Sequence, residues 1–318
     1  MHTNQIVAAI DVGSNSIKLF VAEPGLAEGR IQAIFAETIE TRISAGISQT
    51  LPSLSEQAMQ AGSDTIRELV HLAQSFHPRV IQIVATSAVR EATNAIQFID
   101  LVSKVTGLNI RILSGAEEAS YIGRGLRCDP HIAHMDRFIQ MDIGGGSLEL
   151  IRFHHGQIQQ ALSLPLGAVR LSEHFIADRD AAIPAATAVR IQDHVRATLQ
   201  ASGFSFEPRQ DPFIATGGAF AITRAMLAAQ VDQTIDTYTP IVSKHAINQL
   251  KSKLMHLALH ERMAVPHLPA TRADIIPTAL ITIDTVLDYA QRTSVTHSFY
   301  NLRYGIAAEL LGADLEPT

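Results

Sequence analysis

One nine-residue segment occurs twice in this chain, and the two copies start 131 residues apart. Residues 11–19 read DVGSNSIKL and residues 142–150 read DIGGGSLEL, with four identical positions and two exchanges between similar apolar residues. Each copy closes an apolar strand with an aspartate, turns through small residues and begins a second strand. Because a repeated segment of this kind indicates a repeated supersecondary unit, the sequence predicts two related lobes with a cleft between them.

Alternating strand and helix patterns surround both copies. The first copy belongs to a pattern of three short strands, followed by helices and strands in alternation, which favours layered α/β lobes over an all-α or all-β protein. We expect a first lobe over residues 1–125 and a second over 126–301, with a C-terminal helix over 302–318 that packs back on the first lobe. In the second lobe the apolar spacing predicts helices over 167–177, 184–202, 218–230, 243–261 and 271–290.

The charge balance and the cysteine content restrict the class of protein. The chain has 31 acidic and 25 basic residues, with no cluster of lysine and arginine, so it lacks the extended positive surface that duplex nucleic acid requires. The single cysteine, Cys128, excludes a disulfide framework and fits a reducing compartment. No signal peptide or membrane-spanning pattern is present. We therefore expect a cytoplasmic protein with no DNA, RNA or membrane partner.

The two turns rich in glycine and serine are candidate phosphate-binding loops. Small residues allow backbone N–H groups and hydroxyl groups to converge on an anion. A single turn of this composition is most often an ordinary hairpin, but two copies in register favour a pair of phosphate loops. The expected phosphate-binding residues are Gly13, Ser14, Asn15, Ser16 and Lys18 in the first copy, and Gly144, Gly145, Gly146 and Ser147 in the second.

The seventh position after each aspartate carries opposite charges in the two copies. Lys18 occupies it in the first copy and Glu149 in the second. An ammonium group neutralises phosphate oxygens, whereas Glu149 together with Asp142 provides oxygen ligands for a divalent ion or orients a water molecule. Without the turns, two solvated strand residues would be the better interpretation.

Three further segments are candidates for ligand contacts. Arg90 follows an apolar strand, at the end where ligands of α/β sheets bind, and a guanidinium there can hold a phosphate group; a surface arginine is an equal alternative. Glu117 and Glu118 begin a helix, where carboxylates are favoured in any case, and one of them is a candidate general base. A weaker candidate for binding a nucleotide or phosphate is the strand-to-helix junction Thr216, Gly217 and Gly218.

Seven segments, taken in order along the chain, form a recognisable series. They read IDVGSNSIKLFVAE, VATSAVREATNA, LSGAEEASYIGRG, MDIGGGSLELI, LPLGAVRLSE, ATGGAF and RADIIPTAL. The series resembles the Ppx/GppA family of exopolyphosphatases and guanosine pentaphosphate phosphohydrolases, which belongs to the actin-like ATPase superfamily. The resemblance covers nearly the whole chain and implies two ribonuclease-H-like lobes. It also implies hydrolysis of the terminal phosphoanhydride of polyphosphate, of pppGpp, or of both, with Mg²⁺ or a similar ion.

The resemblance also implies roles for individual residues. Glu118 is similar to the family's catalytic glutamate, which activates water, and Arg90 resembles its phosphate-clamping arginine. Asp142 and Glu149 resemble the acidic pair that organises the metal and the water. Lys18 departs from the arginine that usually follows the first loop, which keeps the charge but loses the planar guanidinium.

The C-terminal segment SFYNLRYG, residues 298–305, departs from the family pattern as well. Phe299 and Tyr304 stand where acids are usual, and only 13 residues follow Gly305. No His-Asp dipeptide occurs in the chain, so the resemblance implies a short, two-domain member without the helical extension of longer relatives.

Other functions remain compatible with these residues. A kinase of the same superfamily would need a base that activates an acceptor, and a sensor would bind polyphosphate or guanosine penta- or tetraphosphate with little turnover. The presence of Glu118, Asp142 and Glu149 together argues against the sensor. The sequence leaves the choice between polyphosphate and pppGpp open, and we expect a homodimer.

Overall fold

Two units make up the chain in this computed structural model. The structure describes residues 5–26, 30–44, 51–155 and 157–312. The first unit spans Met1–Met135 together with Tyr300–Thr318, and the second spans Asp136–Phe299. Each unit has its own sheet and its own hydrophobic core.

The first unit contains a five-stranded sheet in the order β3-β2-β1-β4-β5. Its strands are β1 (Val7–Val12), β2 (Ser16–Pro24), β3 (Ile31–Glu40), β4 (Val80–Ala85) and β5 (Ile110–Ile112). The first three are antiparallel and form the predicted meander, whereas β1, β4 and β5 run parallel. All of β1 is buried, which explains its nearly continuous apolar sequence.

Helices cover both faces of this sheet. They are α1 (Glu56–Gln74), α2 (Ser87–Glu91), α3 (Ala95–Thr106), α4 (Gly115–Arg127) and α11 (Leu302–Leu311). Ser55 and Ser114 cap α1 and α4, and Gly107 ends α3 in the left-handed conformation. The terminal helix α11 packs against α4 so closely that a Cβ on Gly305 would lie 1.8 Å from the Tyr121 carbonyl oxygen.

The second unit contains a six-stranded sheet in the order β10-β11-β9-β6-β7-β8. Its strands are β6 (Arg137–Ile143), β7 (Leu148–His154), β8 (Gln157–Leu164), β9 (Phe213–Thr216), β10 (Ile241–Ser243) and β11 (Ser294–His297). Strands β6, β7 and β8 are antiparallel, whereas β6, β9 and β11 run parallel. This is the order and direction of the five strands of the first sheet, with β10 added at one edge, so the predicted repeat is confirmed at the level of topology.

The helices of the second unit follow the predicted pattern with one clear exception. They are α5 (Ala168–Phe175), α6 (Ala185–Ser202), α7 (Gly218–Ala229), α8 (Lys244–His256), α9 (Leu259–Met263) and α10 (Ile276–Tyr289), with a 3-10 turn at Ala270–Arg272. The single helix expected over 243–261 is wrong, because the chain is extended at Leu257. Tertiary contacts redirect the chain there: the Leu259 N–H donates to the Asp180 carbonyl, and the fully buried Arg262 donates to two carbonyls of that same loop.

None of the described helices combines the length and the apolar character that a span across a bilayer requires.

Candidate active site

The turn between β1 and β2 is the first predicted phosphate loop. The Gly13 N–H donates to the Ser16 carbonyl at 3.1 Å and closes the turn, while the carbonyls of Ser14 and Asn15 accept N–H groups from segment 41–44 at 2.9 to 3.1 Å. The backbone N–H groups of Ser14 and Asn15 have no acceptor among the residues that the structure describes. Because its carbonyls are already engaged, the loop offers N–H donors to a ligand, which is the requirement for binding an anion.

Charged side chains adjoin this loop. Lys18 lies directly opposite Asp11 in the strand register, and its Nζ is 3.7 Å from the Asp11 carboxylate. The Asn15 amide nitrogen donates to Glu40, which leaves the buried Asn15 Oδ1 without a partner within the described ranges. A buried acceptor of this kind needs a donor or a cation, so a bound ligand, ion or water at the loop would satisfy it.

Arg90 and Glu118 are in direct contact in the first unit. The apolar sequence continues past Ala85, but strand β4 ends there. Arg90 lies in the short helix α2 that follows. Its Nη1 donates to the Glu118 carboxylate at 2.8 Å and to the Leu113 carbonyl at 2.9 Å. The Glu118 side chain is 9% exposed and that of Arg90 is 22% exposed. Two candidates that are 28 residues apart in sequence thus form one partly buried pair.

The neighbouring Glu117 is committed to a structural role. Its carboxylate accepts from the Ser114 N–H and hydroxyl at 2.9 and 2.8 Å, which completes a capping box, and from Arg111 at 2.7 Å. The hydrogen bond from the Ser114 backbone and those from Arg111 and the Ser114 hydroxyl lower the pKa of Glu117 to about 2. Of the two predicted carboxylates, Glu118 is therefore the candidate base. The spacing S-x-x-E is a capping signal that sequence reasoning could have used to set Glu117 aside.

The turn between β6 and β7 is the second predicted phosphate loop. The Gly144 N–H donates to the Ser147 carbonyl at 3.0 Å, as at the equivalent position of the first loop. The carbonyls of Gly144 and Gly145 accept from the first turn of α5 (168–170), and the Gly146 carbonyl accepts from the side chain of Arg170 at 2.8 Å. The Gly145 and Gly146 N–H groups have no acceptor in the described part of the chain. Arg170, which the sequence analysis missed, anchors this loop from the segment LPLGAVRLSE.

Asp142 and Glu149 lie directly opposite each other on β6 and β7. The Thr216 hydroxyl donates to the Asp142 carboxylate at 2.6 Å and accepts from the fully buried Gln140 amide at 2.9 Å. Glu149, which is 5% exposed, accepts from the Ser163 hydroxyl at 2.9 Å. A hydroxyl on a neighbouring strand contacts each carboxylate. Both side chains are therefore held in place near the end of the sheet where the loop joins β6 to β7.

The junction of β9 and α7 packs against Asp142. Gly217 has φ of 93°, and a Cβ there would lie 2.1 Å from the Asp142 Oδ1; a Cβ on Gly218 would lie 2.4 Å from the guanidinium of Arg272. The predicted junction Thr216, Gly217 and Gly218 therefore lies beside Asp142, and the Thr216 hydroxyl contacts that carboxylate. Arg272 is a second residue that the site prediction missed, although it begins the segment RADIIPTAL.

Alanine at Gly217 should destabilise the protein more than alanine at Gly203. Both glycines have a positive φ, but Gly217, at φ 93° and ψ 170°, adopts a conformation that is essentially restricted to glycine and costs an L-residue about 1 to 3 kcal/mol. Gly217 also has the Asp142 side chain where a Cβ would lie, so its total loss should reach about 3 kcal/mol. A Cβ on Gly203 meets nothing within 4 Å, which makes Gly203→Ala the matched control. Chemical denaturation measures both free energies of unfolding, and equal losses would contradict the close packing of Gly217 on Asp142.

Cys128 does not provide a nucleophile. It is a buried free thiol at the end of α4, and burial raises its pKa to about 12. A thiol with this pKa is protonated at neutral pH and is a poor nucleophile. Attack by a bound water molecule is thus the simpler hydrolytic chemistry for this set of residues.

Comparisons with known proteins agree with this fold. The sequence model of the Ppx/GppA phosphatase family matches residues 23–313. The fold is similar to an exopolyphosphatase from Cytophaga hutchinsonii, with 24% identity, a TM-score of 0.85, and coverage of 98% of this chain and 99% of that one. It is also similar to the Aquifex aeolicus Ppx/GppA family member, with 21% identity, a TM-score of 0.77, and coverage of 97% and 98%.

These likenesses confirm the expected fold class, an α/β protein with two related sheets and the actin-like ATPase architecture. The family match extends over most of the described elements, from the end of β2 to the end of α11. On this evidence the chain belongs to the Ppx/GppA phosphatase family.

Proposed function

We propose that this protein hydrolyses the terminal phosphoanhydride bond of inorganic polyphosphate, of pppGpp, or of both, and releases orthophosphate. The contact between Glu118 and Arg90 carries the proposal, because it places a buried carboxylate and a guanidinium together at the edge of the sheet that bears the first phosphate loop. Family membership and the likeness to an exopolyphosphatase support it.

Glu118 is the general base of the proposed reaction. Its carboxylate is held 2.8 Å from the Arg90 guanidinium, and a positioned carboxylate can accept a proton from water. The second hydrogen bond of Arg90, to the Leu113 carbonyl, holds the guanidinium in position beside Glu118. Arg90 thus orients the base and offers its other N–H groups to a phosphate oxygen.

The loops and Lys18 hold the phosphate groups in this proposal. Phosphoryl transfer is accelerated mainly by positioning and by stabilisation of charge. The N–H groups of Ser14 and Asn15, and those of Gly145 and Gly146, supply donors, and the ammonium of Lys18 supplies a positive charge. Substitutions that disturb the loop N–H donors or remove the charge of Lys18 should therefore weaken the binding of phosphate groups.

The donor set of the second unit fits a magnesium ion. Mg²⁺ is usually bound by one or two carboxylates together with phosphate oxygens and water. Asp142 and Glu149 provide two carboxylates on adjacent strands, each oriented by a hydroxyl, whereas at the equivalent positions of the first unit Lys18 pairs with Asp11. When bound, the ion would neutralise charge on the phosphate oxygens. Asp142 and Glu149 would hold it, and Thr216 and Ser163 would keep the two side chains in place.

The experiment that tests the proposal measures phosphate release with Mg²⁺ from long-chain polyphosphate and from pppGpp, side by side. We expect release from at least one of them, and the ratio of kcat/KM assigns the preferred substrate. Release from polyphosphate alone would define an exopolyphosphatase, and preference for pppGpp an alarmone phosphatase. Tight binding of either compound without release would overturn the proposal in favour of a sensor. Consumption of ATP that requires an acceptor would overturn it in favour of a kinase.

A further inference from the structure

Three side chains cluster at the end of the second sheet opposite to the end that carries loop 144–147. Asp136 precedes β6, and His154 and His155 lie at the end of β7. The antiparallel register pairs Arg137 with His154, which brings the next residues outward, Asp136 and His155, together. Loop 144–147 follows the other end of β6, roughly 20 Å away at about 3.3 Å per residue.

We infer that Asp136, His154 and His155 bind a divalent transition-metal ion of the Zn²⁺ class. One ligand atom from each side chain lies within 4.8 Å of the other two. The His155 Nδ1 is 2.7 Å from one Asp136 oxygen, and the His154 Nε2 is 4.0 Å from the other. In a tetrahedral zinc site, with bonds of about 2.1 Å, the ligand atoms lie about 3.4 Å apart. The observed separations bracket this value, so small torsional changes bring all three atoms onto one ion.

The backbone of the cluster is already ordered for binding. The His155 N–H donates to the Asp136 carbonyl at 2.8 Å, which ties the turn after β7 to the start of β6. The imidazole rings of His154 and His155 stack with their centroids 4.0 Å apart. The backbone that carries the ligands is therefore in place before an ion binds, and binding has to order only the three exposed side chains.

The chemistry of the ligands selects the class of metal. Two imidazoles and one carboxylate suit Zn²⁺, Cu²⁺ or Ni²⁺, whereas Mg²⁺ prefers oxygen ligands alone. Three protein ligands also leave a fourth position for water. The cluster should therefore discriminate against the ion that the acidic pair of the active site would hold.

Two arginines lie near the cluster, and one of them is paired with a carboxylate. Arg137 and Arg152 line, together with His154, a cavity of about 160 Å³ beside the cluster. The Arg137 guanidinium is 3.6 Å from the Asp211 carboxylate, and Arg152 donates to the Glu207 carbonyl at 3.3 Å. The charge of Arg137 is therefore opposed by a carboxylate, whereas Arg152 has a neutral acceptor, so a bound cation must overcome the repulsion of this one guanidinium.

Binding of zinc to purified protein without Mg²⁺ tests the inference. We expect titration calorimetry to show one Zn²⁺ site in the wild type that is lost in His155→Asn and at least tenfold weaker in Asp136→Asn. Asparagine is chosen at position 155, where φ is 50°, because it tolerates the left-handed conformation. His245→Ala, at an exposed histidine of α8, is the matched control and should bind as the wild type does.

Thermal unfolding and spectroscopy give independent readouts. Since the ion binds the folded protein, saturating Zn²⁺ should raise the Tm of the wild type by several degrees more than it raises the Tm of His155→Asn, whereas Mg²⁺ at the same concentration should affect the two proteins equally. Co²⁺ should show the visible absorption of a tetrahedral site only when the cluster is intact. The chain has 14 histidines, so equal Zn²⁺ stoichiometry and affinity in the wild type and in His155→Asn would overturn the inference.

Discussion

Glu118→Gln should reduce kcat for phosphate release by about 10²- to 10⁴-fold, which is the usual contribution of a general base. Glutamine has nearly the shape of glutamate and can still accept the hydrogen bond from Arg90, whose Nη1 is 2.8 Å from the carboxylate. It cannot take a proton from water. Because the contact with Arg90 is preserved, KM and the free energy of unfolding should change far less than kcat. Steady-state kinetics and chemical denaturation measure the three quantities.

Glu117→Gln is the matched control for this substitution. Glu117 is the adjacent residue and is engaged in the capping box with Ser114 and in an ion pair with Arg111. Glutamine also supports a capping box, so this variant should keep nearly full activity. Equal activity of Glu118→Gln and wild type, or an equal loss in the two variants, would show that Glu118 is not the base.

Asp142→Asn should reduce phosphate release by about 10²-fold or more at a fixed, moderate concentration of Mg²⁺, since metal assistance contributes several kcal/mol. The asparagine oxygen can still accept from the Thr216 hydroxyl, which is 2.6 Å from the carboxylate, so the strand edge should keep its structure. Loss of one of two carboxylate charges weakens the hold on a cation. The variant should therefore need a higher concentration of Mg²⁺ for half-maximal activity, and EDTA should abolish activity of both proteins.

Asp211→Asn controls for the loss of a carboxylate charge in the same unit. Asp211 precedes β9, whereas Asp142 pairs with the last residue of β9, so the two lie at opposite ends of the strands. Asp211 lies 3.6 Å from Arg137. Its replacement should lower stability and leave the Mg²⁺ dependence unchanged. If Asp142→Asn and Asp211→Asn lose activity only in proportion to their loss of stability, Asp142 has a structural role and does not hold the ion.

Local elements of this protein were readable from its sequence because each depends on residues close together in the chain. The two loops have the composition that tight turns require, and in both the first glycine N–H closes the turn at 3.0 to 3.1 Å. The caps at Ser55, Gly107 and Ser114 are local for the same reason. The interrupted helix at Leu257 was not readable, because its apolar spacing is helical and the break depends on contacts with a distant loop.

The composition of the candidate site was only partly readable. Sequence spacing placed Asp142 and Glu149 seven residues apart in the second copy of the repeat, and the strand register shows that they lie opposite each other on β6 and β7, beside the same loop. Arg170 and Arg272 could not be assigned in advance, because they reach Gly146 and Gly218 from helical segments more than 20 residues away in sequence. A guanidinium on a helix has no local pattern that distinguishes a contact with a loop from exposure to solvent.

The sequence by itself determined that the chain contains two copies of one strand-turn-strand unit, with a lysine in one and a glutamate in the other at the same position. Only the tertiary structure decided which charged groups meet. Arg90 contacts Glu118 because parallel pairing of β4 with β5 brings α2 and the start of α4 to one edge of the sheet. Glu117, one residue away, turns instead to Ser114 and Arg111. Hydrogen bonds between strands distant in sequence set these positions, and a pattern of neighbouring residues does not contain that information.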